Sequence, residues 1–100
     1  GGHEPFAIAF HLWADGGWSD YVPTERDNRP MVLWGYEICR KDIPTYFTER
    51  AMAAIDLWQT YKLFGFPFSG GWAEQPAVYM DIIKALEIEA RKRQGKHAGK

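Results

Sequence analysis

The sequence has few of the features that mark a secreted or membrane-spanning protein. Cys39 is the only cysteine among the 100 residues, so no disulfide can form within the chain. This excludes a small secreted scaffold held together by disulfides, and the cytoplasm is the expected location. No run of residues approaches the roughly 18 apolar residues that a membrane-spanning helix needs. We therefore expect no association with a membrane.

Metal ligands and catalytic groups are equally scarce. Apart from Cys39, the only nitrogen or sulfur ligands are three histidines, and their spacing matches no zinc motif. They are His3, His11 and His97. We interpret His11 as a half-buried ring with one hydrogen bond, and we predict neither a metal nor a cofactor. Cys39 with His11 is the only conceivable nucleophile–base pair, and no third residue is indicated to orient the histidine. The sequence therefore predicts no enzyme, and a small enzyme of unknown reaction is the weakest alternative.

What the sequence does contain is typical of a globular domain rich in aromatic residues. Hydrophobic residues make up 46% of the chain, charged residues 25% and aromatic residues 16%. These values indicate one ordinary globular domain, which we place at residues 1–94, followed by a basic flexible tail at residues 95–100. Large rings either fill the core of a small domain or supply contact area at an interface.

The N-terminal part shows two short patterns. Residues 5–15 satisfy the spacing of a helix and of a strand, and the two glycines that follow favour a short helix. Residues 31–38 are the best strand candidate, in which Gly35 is a weak point or a bulge. The only nearby partner for that strand is residues 18–22.

Two longer stretches in the second half show helical periodicity. Residues 43–64 carry one apolar stripe, and Gly65 is placed to end the helix. The stripe consists of Phe47, Ala51, Ala54, Ile55, Trp58 and Tyr61. A second helix is predicted over residues 73–94, with Pro76 in its first turn and Gly95 at its end. Its core-facing residues are Val78, Tyr79, Ile82, Ile83, Ala85, Leu86 and Ala90.

These stretches predict a mainly α fold. Two apolar-striped helices with a short connector pack most simply as an antiparallel αα-hairpin, here residues 43–64 and 73–94. The aromatic-rich segment 1–42 would cap this hairpin. The alternative is an α+β fold with a small N-terminal antiparallel sheet, in which residues 6–13 and 31–38 pair as strands.

The connector at residues 63–76 is the most informative stretch for function. It is rich in glycine and proline, and it carries four rings within nine residues: Phe64, Phe66, Phe68 and Trp72. A hairpin does not need so many rings to close, so we predict that they anchor a protein partner; the alternative is that they fill the core. Phosphate binding at Gly70–Gly71 is disfavoured, because the motif has no lysine and Glu74 occupies the anion position.

The charge is unevenly distributed along the chain. Residues 1–90 hold seven Lys/Arg against thirteen Asp/Glu, whereas residues 91–100 hold five Lys/Arg and no acid. The alternative function is therefore a nucleic-acid accessory protein that contacts phosphates through Arg91, Lys92, Arg93, Lys96 and Lys100. An acidic body would repel the same ligand, which favours a helix end matched to its dipole and a solubilising tail.

The connector and the second helix resemble segments of small uncharacterised proteins from tailed phages and prophages. The shared pattern is a helix end with glycine, a proline, Gly-Gly-Trp-x-acidic-Gln-Pro and an amphipathic helix ending in glutamates. In this chain the pattern is carried by Leu63, Gly65, Pro67, Gly70, Gly71, Trp72, Glu74, Gln75, Pro76, Glu87 and Glu89. The resemblance covers about a quarter of the chain and implies a role in tail assembly, as chaperone or structural component, without catalysis.

The leading prediction is a non-enzymatic protein–protein interaction or assembly module. Its partner is a protein, and a second copy of the chain is one alternative for that partner. If the protein is encoded by a phage, the resemblance implies a virion-associated rather than a purely cytoplasmic location.

Overall fold

The computed structural model describes residues 3–66, 70–71 and 75–98. Within these ranges the chain is mainly helical and contains a small two-stranded antiparallel sheet. None of the helices in these ranges is long and apolar enough to cross a lipid bilayer. The chain divides into two compact units, the N-terminal unit (residues 1–52) and the C-terminal unit (residues 53–100).

The N-terminal unit begins with helix α1, Glu4–Asp15. This confirms the helix predicted for residues 5–15. Pro5 lies in the first turn, where its missing N–H has no partner to lose. Gly16 ends the helix with a positive φ of 77°, and its N–H donates to the carbonyl of Leu12 at 3.3 Å.

A β-hairpin follows, formed by β1 (Pro30–Leu33) and β2 (Tyr36–Cys39). The prediction of a single strand over residues 31–38 paired with residues 18–22 is therefore wrong, because the segment folds back on itself. At the turn, Trp34 has a φ of 51° and Gly35 a φ of 90°. Positive φ at both central residues is typical of a type I′ turn, whose twist matches that of the paired strands.

The alternative α+β fold is wrong in its strand pairing, since residues 6–13 are helical.

The core of the N-terminal unit joins α1 to the hairpin. Ile8, Leu12, Leu33, Ile38 and Ile43 form one buried cluster. Partly buried rings and a methionine surround this cluster: Trp18, Tyr21, Met31, Trp34, Tyr36, Tyr46 and Phe47. The aromatic residues of this unit are thus used largely for packing.

The helix predicted for residues 43–64 is interrupted. After a 3₁₀ turn at Arg40–Asp42, helix α2 spans Ile43–Tyr46 and helix α3 spans Glu49–Phe64. Phe47 leaves the helical region, with φ −86° and ψ 63°. Thr48 then starts α3, because its Oγ1 accepts a hydrogen bond from the N–H of Ala51 at 3.0 Å. A threonine that caps a new helix competes with continuation of the old one.

The C-terminal unit contains most of α3 and helix α4, Ala77–Ala98. Apart from the break before α3, the two predicted helices are confirmed, and the contacts of α3 with α4 are consistent with the predicted αα-hairpin. The predicted limits of the second helix, residues 73–94, are wrong by about one turn at each end. At the start, the carbonyl of Pro76 accepts the N–H groups of Tyr79 and Met80, both at 3.1 Å. At the other end, Gly95 does not stop the helix, because it stays in the helical region and the chain continues to Ala98.

Buried side chains of the C-terminal unit lie on both helices. They include Ala54, Ile55, Met80, Ile83 and Leu86. Val78 and Tyr79 were predicted to face the core, but both are exposed, Val78 at 60%. They belong to the first turn of α4, next to the connector, so their helical spacing alone did not determine their burial.

Candidate functional site

The carboxylate of Glu87 joins the two helices of the C-terminal unit. It accepts a hydrogen bond from Trp58 Nε1 at 2.9 Å and from Lys62 Nζ at 3.0 Å, both on α3. One turn further along α4, Arg91 Nε lies 3.7 Å from the same carboxylate. Residues four apart on a helix share a face, so Arg91 and Glu87 reach the same side of α4.

These contacts keep Glu87 charged. Burial alone would raise its pKa, but the hydrogen bonds from Trp58 and Lys62 and the charges of Lys62 and Arg91 outweigh burial. The pKa of Glu87 therefore lies below its usual range. A carboxylate held in this form by two cations and an indole N–H suits structural bridging better than proton transfer at neutral pH.

A surface cleft of about 340 Å³ lies beside this carboxylate. Its walls come from both helices: Tyr61 of α3, and Ile83, Lys84, Glu87, Ile88 and Arg91 of α4. The aromatic and aliphatic side chains give it an apolar lining, while two cations and one carboxylate add a net positive charge. Ile88 is 57% exposed, so part of that apolar lining faces solvent.

The C-terminal end of α3 exposes two more apolar side chains. Leu63 is 75% exposed and Phe64 is 83% exposed. The N–H of Gly65 closes the last turn by donating to the carbonyl of Tyr61 at 2.8 Å. The ring of Phe66 then packs against that of Tyr61, with centroids 5.5 Å apart and planes tilted by 36°. Phe66 is half-buried.

Two of the four aromatic residues of the predicted interaction site are described, and they differ in environment. Phe64 is exposed as an anchor would have to be, whereas Phe66 is packed against Tyr61. Phe68 and Trp72 lie outside the described residues, so the prediction for these two rings stays a prediction.

Gln75, named above only as part of the Gly-Gly-Trp-x-acidic-Gln-Pro pattern, has a structural role in the connector. It is buried, and its Nε2 donates to the carbonyls of Gly71 at 3.2 Å and Gly70 at 3.5 Å. A buried amide that binds two loop carbonyls fixes the chain just before α4. The only signal in the sequence was its position between a glycine pair and Pro76.

The basic residues near the end of α4 form ion pairs within the helix. In addition to the Arg91–Glu87 pair, Lys92 Nζ lies 3.2 Å from Glu89 Oε2, and Glu89 is buried. Arg93 is half-buried. The side chain of Lys96 and the whole of Lys100 lie outside the described residues. Lys92, paired with a buried glutamate, has less of its charge available for phosphates, which weakens the nucleic-acid alternative.

His11 is fully buried, so its predicted half-buried position is wrong. Its ring stacks on that of Trp34, with centroids 5.3 Å apart and planes 8° apart. The hairpin turn, which was not predicted, brings Trp34 against His11 of α1. Cys39 is half-buried, and its Sγ donates to the backbone carbonyl of Asp27 at 3.5 Å. Both residues of the conceivable catalytic pair thus have packing or structural contacts.

Asp27 also organises the loop before the hairpin. Its carboxylate accepts the N–H of Thr24 at 2.8 Å, and this hydrogen bond, followed by that of the Tyr21 hydroxyl, lowers the pKa of Asp27. The same hydrogen bond from Tyr21 raises the pKa of the phenol. The carbonyl of Asp27 accepts the N–H of Lys41 at 3.0 Å. These contacts are typical of a turn.

Among the described residues, no three His, Cys, Asp or Glu side chains could together hold a metal ion.

No protein-family model matches the chain, and neither a curated protein nor a solved structure matches it. The function must therefore be inferred from the geometry of the two units. The feature most suited to recognition is the C-terminal unit, where exposed apolar side chains lie near a positively charged cleft.

Proposed function

We propose that the protein is a non-enzymatic protein–protein interaction module that binds its partner through the C-terminal unit. The observation that carries the proposal is the adjacent pair Leu63 and Phe64, both largely exposed at the end of α3. Burying a leucine or phenylalanine side chain contributes about 1.5–3 kcal/mol, so this pair could supply much of the energy of a modest interface.

An assembly role is the most specific form of this proposal. The Gly-Gly-Trp-x-acidic-Gln-Pro pattern that follows Phe64 resembles segments of tailed-phage proteins, as described above. The partner would then be another component of a particle or of its assembly pathway, in the cytoplasm or in the virion. Two described residues of this pattern, Gly70 and Gly71, are held by the buried amide of Gln75, which gives that part of the pattern a structural role.

The test uses the full chain and a double variant, Leu63→Ser with Phe64→Ser. Both are immobilised, incubated with lysate of the source cells, and the captured proteins are identified by mass spectrometry. We expect the double variant to lose a partner that the unchanged chain captures, because two apolar anchors are removed. Equal melting temperatures would show that folding is retained, since these exposed side chains contribute little to stability.

A matched control comes from the N-terminal unit. Val22 is 80% exposed, so Val22→Ser removes an equally accessible apolar side chain. This variant should retain the partner. If both variants capture the same proteins as the unchanged chain, the proposed function of the Leu63–Phe64 pair is wrong.

A further inference from the structure

We propose that the cleft between α3 and α4 binds an acidic amphipathic helix of a partner protein, with apolar side chains against Tyr61, Ile83 and Ile88 and a carboxylate on Arg91. This inference rests on the proposed protein-binding function and names the chemistry of the partner. Its residues are distinct from the Leu63–Phe64 pair.

The apolar part of the site follows from the spacing of residues on α4. Ile83, Glu87 and Arg91 lie four residues apart, and so do Lys84 and Ile88, so all five line one face. The face spans eight residue steps, or about 12 Å, which is roughly two helical turns. Ile83 is buried at the base of the cleft, whereas Ile88 is exposed at its rim.

The charge of the cleft favours an anionic ligand. Among the described lining residues, Lys84 and Arg91 are cationic and Glu87 carries the one carboxylate. The charge of Glu87 is already balanced, because Lys62 and Trp58 donate to it from α3. Arg91 Nε lies 3.7 Å from Glu87 Oε2, and the Arg91 side chain is exposed. A guanidinium has five N–H donors, so this contact leaves the terminal nitrogens able to bind a second carboxylate.

The shape of the cleft favours a protein segment over a small molecule. Small ligands are usually enclosed over most of their surface, whereas Lys84, Ile88 and Arg91 leave the rim of this cleft open to solvent. In its described residues the C-terminal unit is helical and offers no strand edge, so an extended peptide would gain no backbone pairing. A helix satisfies its own backbone hydrogen bonds and can pack along α3 and α4.

The experiment uses two designed helical peptides of about 14 residues, roughly four helical turns, each labelled with fluorescein. Both carry leucines at helical spacing; one has glutamates on its polar face, and its twin has lysines at the same positions. Fluorescence anisotropy with the full chain measures the dissociation constant of each. We expect the acidic peptide to bind at least about tenfold more tightly than its basic twin, and we expect this preference to shrink at high salt.

Two variants test the two halves of the site. Ile88→Glu places a charge on the apolar rim and should weaken binding of the acidic peptide by about tenfold or more. The matched control is Val78→Glu, since Val78 is equally exposed on the same helix but outside the cleft lining, and it should leave binding unchanged. Arg91→Glu should reverse the preference toward the basic twin, an effect that simple unfolding would not produce.

Three results would overturn the inference. The first is equal affinity for the two peptides, which would mean that charge does not select the ligand. The second is a loss of binding in Val78→Glu as large as that in Ile88→Glu. The third is a concentration-dependent dimer of the full chain that Ile88→Glu abolishes, because the occupant would then be a second copy. The proposed function is tested separately, by the capture experiment with the Leu63→Ser, Phe64→Ser variant, and none of these three results changes its outcome. Failure of the cleft and failure of the proposed function are therefore distinguishable.

Discussion

The two units of the protein use their apolar residues differently. In the N-terminal unit, rings pack on one another and around a cluster of aliphatic side chains; the stacked pair His11 and Trp34 is the clearest example. In the C-terminal unit, Leu63, Phe64 and Ile88 remain largely exposed on regular helices. The N-terminal unit also exposes Val22 and Val32, at 80% and 70%, but these are smaller side chains far apart in the sequence, whereas Leu63 and Phe64 are adjacent. The comparison therefore favours the C-terminal unit for the proposed protein binding.

The units also differ in how their elements are held together. The N-terminal unit reverses direction through tight turns, one of which requires a positive φ at Trp34 and Gly35. In the C-terminal unit, α3 and α4 are linked by the polar contacts of Glu87 with Trp58 and Lys62. Turn geometry and packing dominate in one unit, whereas a charged bridge contributes in the other. Three pairs of variants test this difference.

The largest effect is expected from truncating one leucine in each unit. Leu12 is fully buried in the N-terminal cluster, so Leu12→Ala should lower the free energy of unfolding by about 2–5 kcal/mol. Leu63→Ala, on the exposed end of α3, should change it by no more than about 0.5 kcal/mol. Urea unfolding followed by far-UV circular dichroism measures both. Equal costs would show that Leu63 is packed, and the comparison between the units would fail.

An intermediate effect is expected at the charged bridge. Because the folded chain lowers the pKa of Glu87, the stability it contributes is fully present above its unfolded pKa, about 4.3, and is lost as the pH falls through the folded pKa. Glu87→Gln should therefore cost about 1 kcal/mol at neutral pH and progressively less toward about pH 3. Urea unfolding at several pH values measures this difference.

The control for this variant is Asp56→Asn, which removes one carboxylate from an exposed position on α3. A cost for Glu87→Gln that stays constant across the pH series would show that the charge of Glu87 does not stabilise the unit. Packing and the hydrogen bond from Trp58 would then account for the whole contribution of Glu87. The elements within each of the two units would in that case be stabilised by more similar interactions than the structure indicates.

Periodicity in the sequence predicted α3 and α4, because both repeat apolar residues at helical spacing over several turns. For α1, whose spacing also fits a strand, the two glycines that follow it favoured the helix. Periodicity did not predict the hairpin, since Trp34 occupies a left-handed turn position that usually belongs to asparagine, aspartate or glycine. It also missed the break before α3, because Phe47 fits the apolar stripe although its backbone is not helical. Both errors come from local backbone geometry that side-chain patterns do not report.

The candidate site was only partly predictable for a related reason. The surplus of aromatic residues in the connector predicted a partner anchor such as Phe64, with a core position as the alternative, and the sequence did not decide between the two. The bridging role of Glu87 was not predicted, because its partners Trp58 and Lys62 lie 29 and 25 residues away in the sequence. A bridge between distant residues becomes visible only when the pairing of the two helices is known. The cleft beside it depends on the same pairing.

The smallest effects are expected from one substitution made in both units, glycine to alanine. Gly35→Ala should cost about 1 kcal/mol, because alanine is strained at a φ of 90° although its Cβ would meet nothing within 4 Å. Gly95→Ala should instead stabilise by about 0.5 kcal/mol, because Gly95 lies inside α4 with open space around it. Thermal unfolding measures both signs. A destabilising Gly95→Ala would mean that the chain leaves the helix at Gly95, as the sequence alone predicts.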